Sequence, residues 1–189
     1  VDYAASTGNL NYIDRSRIGA TGHSAGGNAA IRGANYFGRE AERTGAPSKL
    51  HSVFVSGYVL TLRKSVLKDV QSNIGVSYAL YDEGAFRNKL KNGDMRIAPE
   101  ALAVVNSGRG KGLKSIRAVV PGRFYGDLDK RALRVVHNEP LLHPFQPYNG
   151  EATANQIAYF EHVFNHSSGL ATHDQIWHWK ELFGLVAFV

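Results

Sequence analysis

The sequence predicts an α/β protein with a mainly parallel sheet flanked by helices, and three observations carry that expectation. Short apolar runs rich in β-branched and aromatic residues recur without polar alternation, the pattern of strands buried on both faces. Between them lie segments whose apolar residues recur at helical spacing. At Gly22-His23-Ser24-Ala25-Gly26, a run of small residues passes into one of those helical segments through a glycine-flanked turn.

Taken in order, residues 1–6 read as the last turns of a helix. Arg17-Ile18-Gly19-Ala20-Thr21-Gly22 reads as a strand ending in a tight turn. From Ala25 to about Glu42, Ala29, Ala30, Ile31, Ala34 and Phe37 mark a helix, with Gly27 and Gly33 expected to let it approach a sheet closely. Residues 51–60 and 74–81 suit buried parallel strands. The stretch 86–102 is mixed and helical in parts, Pro99 being suited to a helix start. Residues 132–136 form a late strand or its approach, and Ala152 to Phe164 carries Ile157, Phe160 and Phe164 at helical spacing.

Composition narrows the chemistry. With 189 residues, 43% hydrophobic and 20% charged, the chain has a globular composition and can bury a core without covalent staples. Cys is absent, which excludes disulfides, thiolate nucleophiles and Cys-ligated metal centres. The net charge of +6 suits anionic surfaces without naming one. The densest basic stretch, Arg109, Lys111, Lys114 and Arg117, is interleaved with glycine and lacks the aromatics of a nucleic-acid stacking surface. It reads as a solvated loop, with an anionic lipid head group as the second option, and no nucleic-acid partner is expected. No metal is expected, because no H-E-x-x-H occurs and His162 and His166 lack both the intervening Glu and a third ligand. No glycine loop of dinucleotide or Walker type occurs, so no nucleotide cofactor is expected.

Gly22-His23-Ser24-Ala25-Gly26 matches the G-x-S-x-G nucleophile elbow, in the strand-to-helix setting that elbow requires. The Ser must sit on a sharp, strained turn so that its Oγ projects above the sheet, and glycines two residues to either side let backbone pass without a Cβ collision. The following helix directs its free N–H groups at the reacting centre, and the Ala25 N–H would supply one oxyanion donor.

At residues 13–27 the sequence resembles the α/β-hydrolase superfamily, and looks most like its bacterial esterase, lipase and dienelactone-hydrolase-like branches. The resemblance implies the order nucleophile, acid after a later strand, then His near the C-terminal end. Asp82, 58 residues past Ser24, stands where the acid would fall; Glu83 competes with it, and Asp82 is favoured because the family more often uses Asp at the strand terminus. Capping of the following helix is the structural alternative for both, and Asp94, Asp127 and Asp129 are weaker candidates for the acid. For the base, His143 lies on a Pro-punctuated loop before the helix at 152, where the family carries its catalytic His. His137 is the close competitor, while His162, His166, His173 and His178 fall on or beyond that helix and His23 occupies the variable position of the elbow.

The resemblance further implies early strands and a second oxyanion donor upstream of the elbow, and only 23 residues precede Ser24. The expectation is therefore a C-terminal portion of a longer hydrolase, or a shortened member, with residues 1–169 as a partial catalytic domain and 170–189 as a tail. That tail places Trp177, Trp179 and Lys180 before the apolar run 182–189, which suits either an amphipathic helix packed on the domain or an interfacial anchor. Its resemblance to the junction of membrane-tethered hydrolases implies a bilayer beside the domain. The expected function is hydrolysis of a carboxylic ester, small or lipid-like, by Ser24, His143 and Asp82. The rival expectation is a non-catalytic α/β-hydrolase-fold binding module, or an inactive fragment of a hydrolase.

Overall fold

A computed structural model describes residues 1–110 and 112–188. Lys111, in the basic stretch, and Val189, at the end of the tail, lie outside the described residues. The elements run α1 (Asp2–Ser6), β1 (Gly19–His23), α2 (Ala25–Thr44), β2 (Ser52–Ser56), α3 (Lys64–Leu67), β3 (Asn73–Ser77), α4 (Pro99–Ser107), β4 (Arg134–His137), α5 (Gly150–Phe164) and α6 (Trp177–Ala187), with 3-10 turns at Ala85–Arg87 and His143–Tyr148.

The four strands form one sheet in the order β1-β2-β3-β4, and every pairing is parallel. β2 and β3 are buried at all five positions, as expected of strands covered on both faces. Their side chains alternate between two cores. Val53, Val55, Ile74, Val76 and Val136 face Ile31, Ala34 and Phe37 of α2 and Ala101, Val104 and Val105 of α4. Phe54 and Val135 on the opposite face pack with Tyr159 and Val163 of α5. Each fully buried aliphatic side chain contributes about 1.5–3 kcal/mol relative to exposure, and the two central strands supply such side chains to both cores of this three-layer sandwich.

The helices follow from local chemistry as well as from packing. α2 buries Gly27, Ala30, Ile31, Ala34, Phe37, Gly38 and Ala41 along one stripe and ends at Gly45, whose φ of 69° is suited to glycine. Gly33 sits in open space, so close approach is required at Gly38 instead, where a Cβ would fall 1.8 Å from the Asp69 carbonyl oxygen. α4 starts on Pro99 at its first turn, where a missing N–H costs nothing. Asn149 caps α5 by accepting a hydrogen bond from the Ala152 N–H at 3.0 Å.

The edges differ. The outer side of β4 is covered by the segment before it, through the Tyr125–Arg134 backbone pair and the Gly122 N–H donated to the Val136 carbonyl. β1 hydrogen-bonds to β2 alone among the described strands. Buried Arg134 ties the start of β4 to the end of α4 by donating to Ser107 Oγ and to the carbonyls of Ser72 and Leu133. α6 has no buried residue, and Trp179, Phe183, Leu185 and Val186 are more than half exposed. Trp177 at its start reaches Tyr148, with ring centroids 6.1 Å apart, and the described residues after it in the helix are exposed. No described helix is long and apolar enough to cross a membrane.

Candidate active site

A parallel sheet delivers the carboxyl ends of all its strands to one rim, where ligands of open α/β sheets bind. Each strand here contributes to a single cavity of about 660 Å³ at that rim: Ser24 directly after β1, Gly57 and Tyr58 after β2, Asp82 beyond β3, and His143 beyond β4.

Ser24 has φ 56° and ψ −117°, a backbone conformation that L-residues rarely adopt. Two backbone bonds hold it there: its N–H donates to the Ser56 carbonyl at 2.9 Å, and its own carbonyl accepts from the Asn28 N–H at 3.1 Å. A Cβ at Gly22 would lie 2.3 Å from the Gly26 carbonyl group, and one at Gly27 would lie 2.8 Å from the Ser56 oxygen. A Cβ at Gly26 would meet nothing within 4 Å, so the expected demand for glycine two residues beyond the Ser falls on Gly27 instead. Ala25, the first residue of α2, lines the cavity, and the N–H groups of that first turn have no partner within the helix.

Asp82 and His143 meet across 61 residues of chain. Asp82 Oδ2 accepts a hydrogen bond from His143 Nδ1 at 2.9 Å, and its Oδ1 accepts from the Gly84 N–H at 2.6 Å. The carboxylate side chain is only 5% exposed and that of His143 is 24% exposed, so the pair is shielded but reachable from the cavity. A carboxylate bonded at Nδ1 fixes the ring tautomer and leaves Nε2 as the basic nitrogen. His143 opens a 3-10 turn, where the sequence suggested a loop. Ser24 Oγ makes no hydrogen bond among the described residues; contacts between nucleophile and base are often long until substrate is bound.

The competing candidates stand elsewhere. Glu83 is exposed and lines the cavity without bonding a His among the described residues. His137 ends β4 and lines a separate cavity with Glu139 and Tyr159, and its Nε2 is buried without a partner among the described residues. Burial pulls its pKa down to about 4, which keeps the ring neutral near pH 7. No group of three or more His, Asp or Glu among the described residues is placed to hold a metal ion.

Two features of the site escape a reading of the sequence. His23 packs its ring 4.5 Å from that of His143, and its Nδ1 lies 3.1 Å from Ser56 Oγ. Burial, and then the neighbouring His143, hold its pKa below the ordinary imidazole value. Gly57, at φ 62°, makes room for both rings, since a Cβ there would lie 2.5 Å from His23 and 3.0 Å from His143. Secondly, a buried polar network underlies the turn that carries His143. Gln146 Nε2 donates to Ser77 Oγ, Ser77 Oγ donates to Glu139 Oε2 at 2.9 Å, and Asn155 Nδ2 donates to Glu139 Oε1 at 3.1 Å. One carboxylate thus joins the end of β3, the His143 turn and α5.

Burial pushes the Glu139 carboxyl above its ordinary value near 4.5, against the hydrogen bonds from Asn155 and Ser77 that favour ionisation. Because the folded form holds its proton more tightly, the unfolded chain ionises first as pH rises, and stability falls from about pH 4.5 upward. Urea unfolding between about pH 4 and 7 should therefore show the stability difference, parent minus Glu139→Gln, decreasing with pH; a flat or rising difference refutes the assignment. Glu139→Ala, which leaves a cavity and two unpaired donors, should cost about 2–4 kcal/mol.

Compared with protein families, with curated proteins and with solved structures, the chain finds no match.

Proposed function

We propose that this chain is a serine hydrolase of the α/β-hydrolase type that cleaves a carboxylic ester through an acyl-enzyme. The observation that carries the reading is Ser24 held at φ 56° on a strand-to-helix elbow, in the same cavity as an Asp82-oriented His143. In this mechanism Ser24 Oγ attacks the ester carbonyl carbon while its proton passes to His143 Nε2. The Ala25 N–H donates to the oxyanion that develops. Collapse of the intermediate breaks the bond to the leaving alkoxide, which takes the proton from Nε2. Water then attacks the acyl-enzyme with His143 again as base, releasing the acid and regenerating Ser24. The exposed apolar surface of α6 supports a lipid-like ester and a bilayer surface beside the domain.

Fluorophosphonate labelling, read by intact-protein mass, tests this proposal. The probe should add once to the parent, with loss of fluoride, and not at all to Ser24→Ala. Equal labelling of both proteins would move the nucleophile elsewhere. An unlabelled parent would favour the binding-module reading.

A further inference from the structure

The cavity at Ser24 does not end at the triad. Leu60, Arg87 and Asn88 line both that cavity and a second one of about 590 Å³, so the two share a wall. The second cavity is strongly cationic: Arg63, Lys64, Arg87, Lys89 and Lys91 line it, against the single carboxylate of Glu100. None of those five cations forms a salt bridge among the described residues, although Arg17, Lys49, Arg96 and Lys130 elsewhere on the molecule do.

Two of the cations are also held in place. Arg63 Nε donates to the Leu60 carbonyl at 2.9 Å and Arg87 Nε to the Gly84 carbonyl at 3.3 Å, which orients both guanidinium groups and leaves their terminal nitrogens uncommitted. The loop carrying Lys89 and Lys91 is pinned from beneath. The Lys89 N–H donates to buried Glu100 Oε1 at 2.9 Å, and Asn88, 1% exposed, donates to the Asn92 carbonyl. Lys91 itself is held at φ 60°, where a side chain other than glycine is uncommon. Five exposed cations on one wall set up a positive potential that draws an anion to it. Guanidinium forks beside ammonium groups suit the several oxygens of a phosphate. Glu100, the one carboxylate of that wall, is buried beneath it, so the face presented to a ligand is cationic.

We propose that this groove is a substrate subsite that binds a phosphate group carried by the ester, so that the enzyme acts on acyl esters that bear a phosphate. The inference rests on the serine-hydrolase reading for its chemistry, but the phosphate subsite can be measured without turnover. The soluble pair 1-butyryl-glycerol and 1-butyryl-glycerol 3-phosphate presents the same ester with and without the phosphate. The phosphorylated member should have a kcat/KM at least about tenfold higher at low salt, a preference that shrinks toward unity near 0.5 M NaCl as the charges are screened. In Lys89→Glu/Lys91→Glu, and to a lesser extent in Lys89→Gln/Lys91→Gln, that ratio should collapse, and both positions are exposed, so the fold tolerates the change. A ratio near one in the parent, or a ratio unmoved by these substitutions, overturns the subsite. Calorimetric titration with glycerol 3-phosphate separates the two readings. Binding that the charge reversals weaken about tenfold supports the groove even where neither ester is cleaved. Absence of binding overturns it even where both esters are cleaved.

Discussion

Ser24→Gly should unfold at a higher denaturant concentration than the parent while hydrolysing esters at least about 10⁴-fold more slowly. The two effects have separate causes in one residue. At φ 56° and ψ −117° the Ser24 backbone lies where a Cβ is strained, and such outliers cost on the order of 1–3 kcal/mol. Glycine adopts that conformation freely, so the substitution relieves most of the strain; greater flexibility of the unfolded chain takes some of it back, leaving a gain of about 1 kcal/mol. The loss of Oγ removes the proposed nucleophile. Ser24→Ala provides the control, as it loses the hydroxyl but keeps the Cβ and should therefore lose activity with no gain in stability. A Ser24→Gly variant no more stable than Ser24→Ala would show that the elbow is relaxed, and retained turnover in either would exclude Ser24 as nucleophile.

Asp82→Asn should lower kcat by about 10³–10⁴ with little change in KM. Both carboxylate oxygens of Asp82 are committed as acceptors, one to His143 Nδ1 and one to the Gly84 N–H. An amide satisfies only one of those partners. If its oxygen stays on the Gly84 N–H, its NH₂ faces His143 Nδ1, which must then be unprotonated, and the ring proton moves to Nε2, the nitrogen required to accept the Ser24 proton. Steady-state kinetics of Asp82→Asn and Glu83→Gln on one ester separates the two acids. A large loss in the second and none in the first would assign the acid to Glu83.

The strand-to-helix turn at Ser24 was legible in the sequence because every determinant of it is local: Gly22, Gly27 and the strand-to-helix switch lie within a few residues of Ser24. The central strands were legible because both faces of β2 and β3 are buried, which leaves continuous apolar runs. Their ends were not, because Tyr58, Leu60 and Tyr78 are apolar for another reason, lining the cavity beyond the strands. α3, with four residues, is too short to show a period. Gly33 was expected at the sheet and Gly38 carries the close contact because Gly38 packs on the Asp69 carbonyl, a neighbour that no helical period reveals. His23 and Glu139 were invisible as parts of the site for a common reason. Their partners, His143 for the first and Ser77 and Asn155 for the second, become neighbours only when the sheet assembles, and a lone charged residue such as Glu139 reads as surface until burial places it.

The parallel pairing of β3 with β4 has a consequence for how such a protein can change. The chain leaves the sheet at Ser77 and returns at Arg134 into the adjacent position, so everything between is an excursion with neighbouring entry and exit points. Asp82 sits near the exit and His143 lies after the return, while Arg87, Lys89 and Lys91 of the cationic groove lie on the excursion itself. On the proposed reading, the bond-breaking residues and three of the five groove cations lie on separable lengths of chain. On that reading, substitution of the exposed Arg87, Lys89 and Lys91 retunes what is accepted while α4, which the core requires, and the Asp82–His143 pair keep their places.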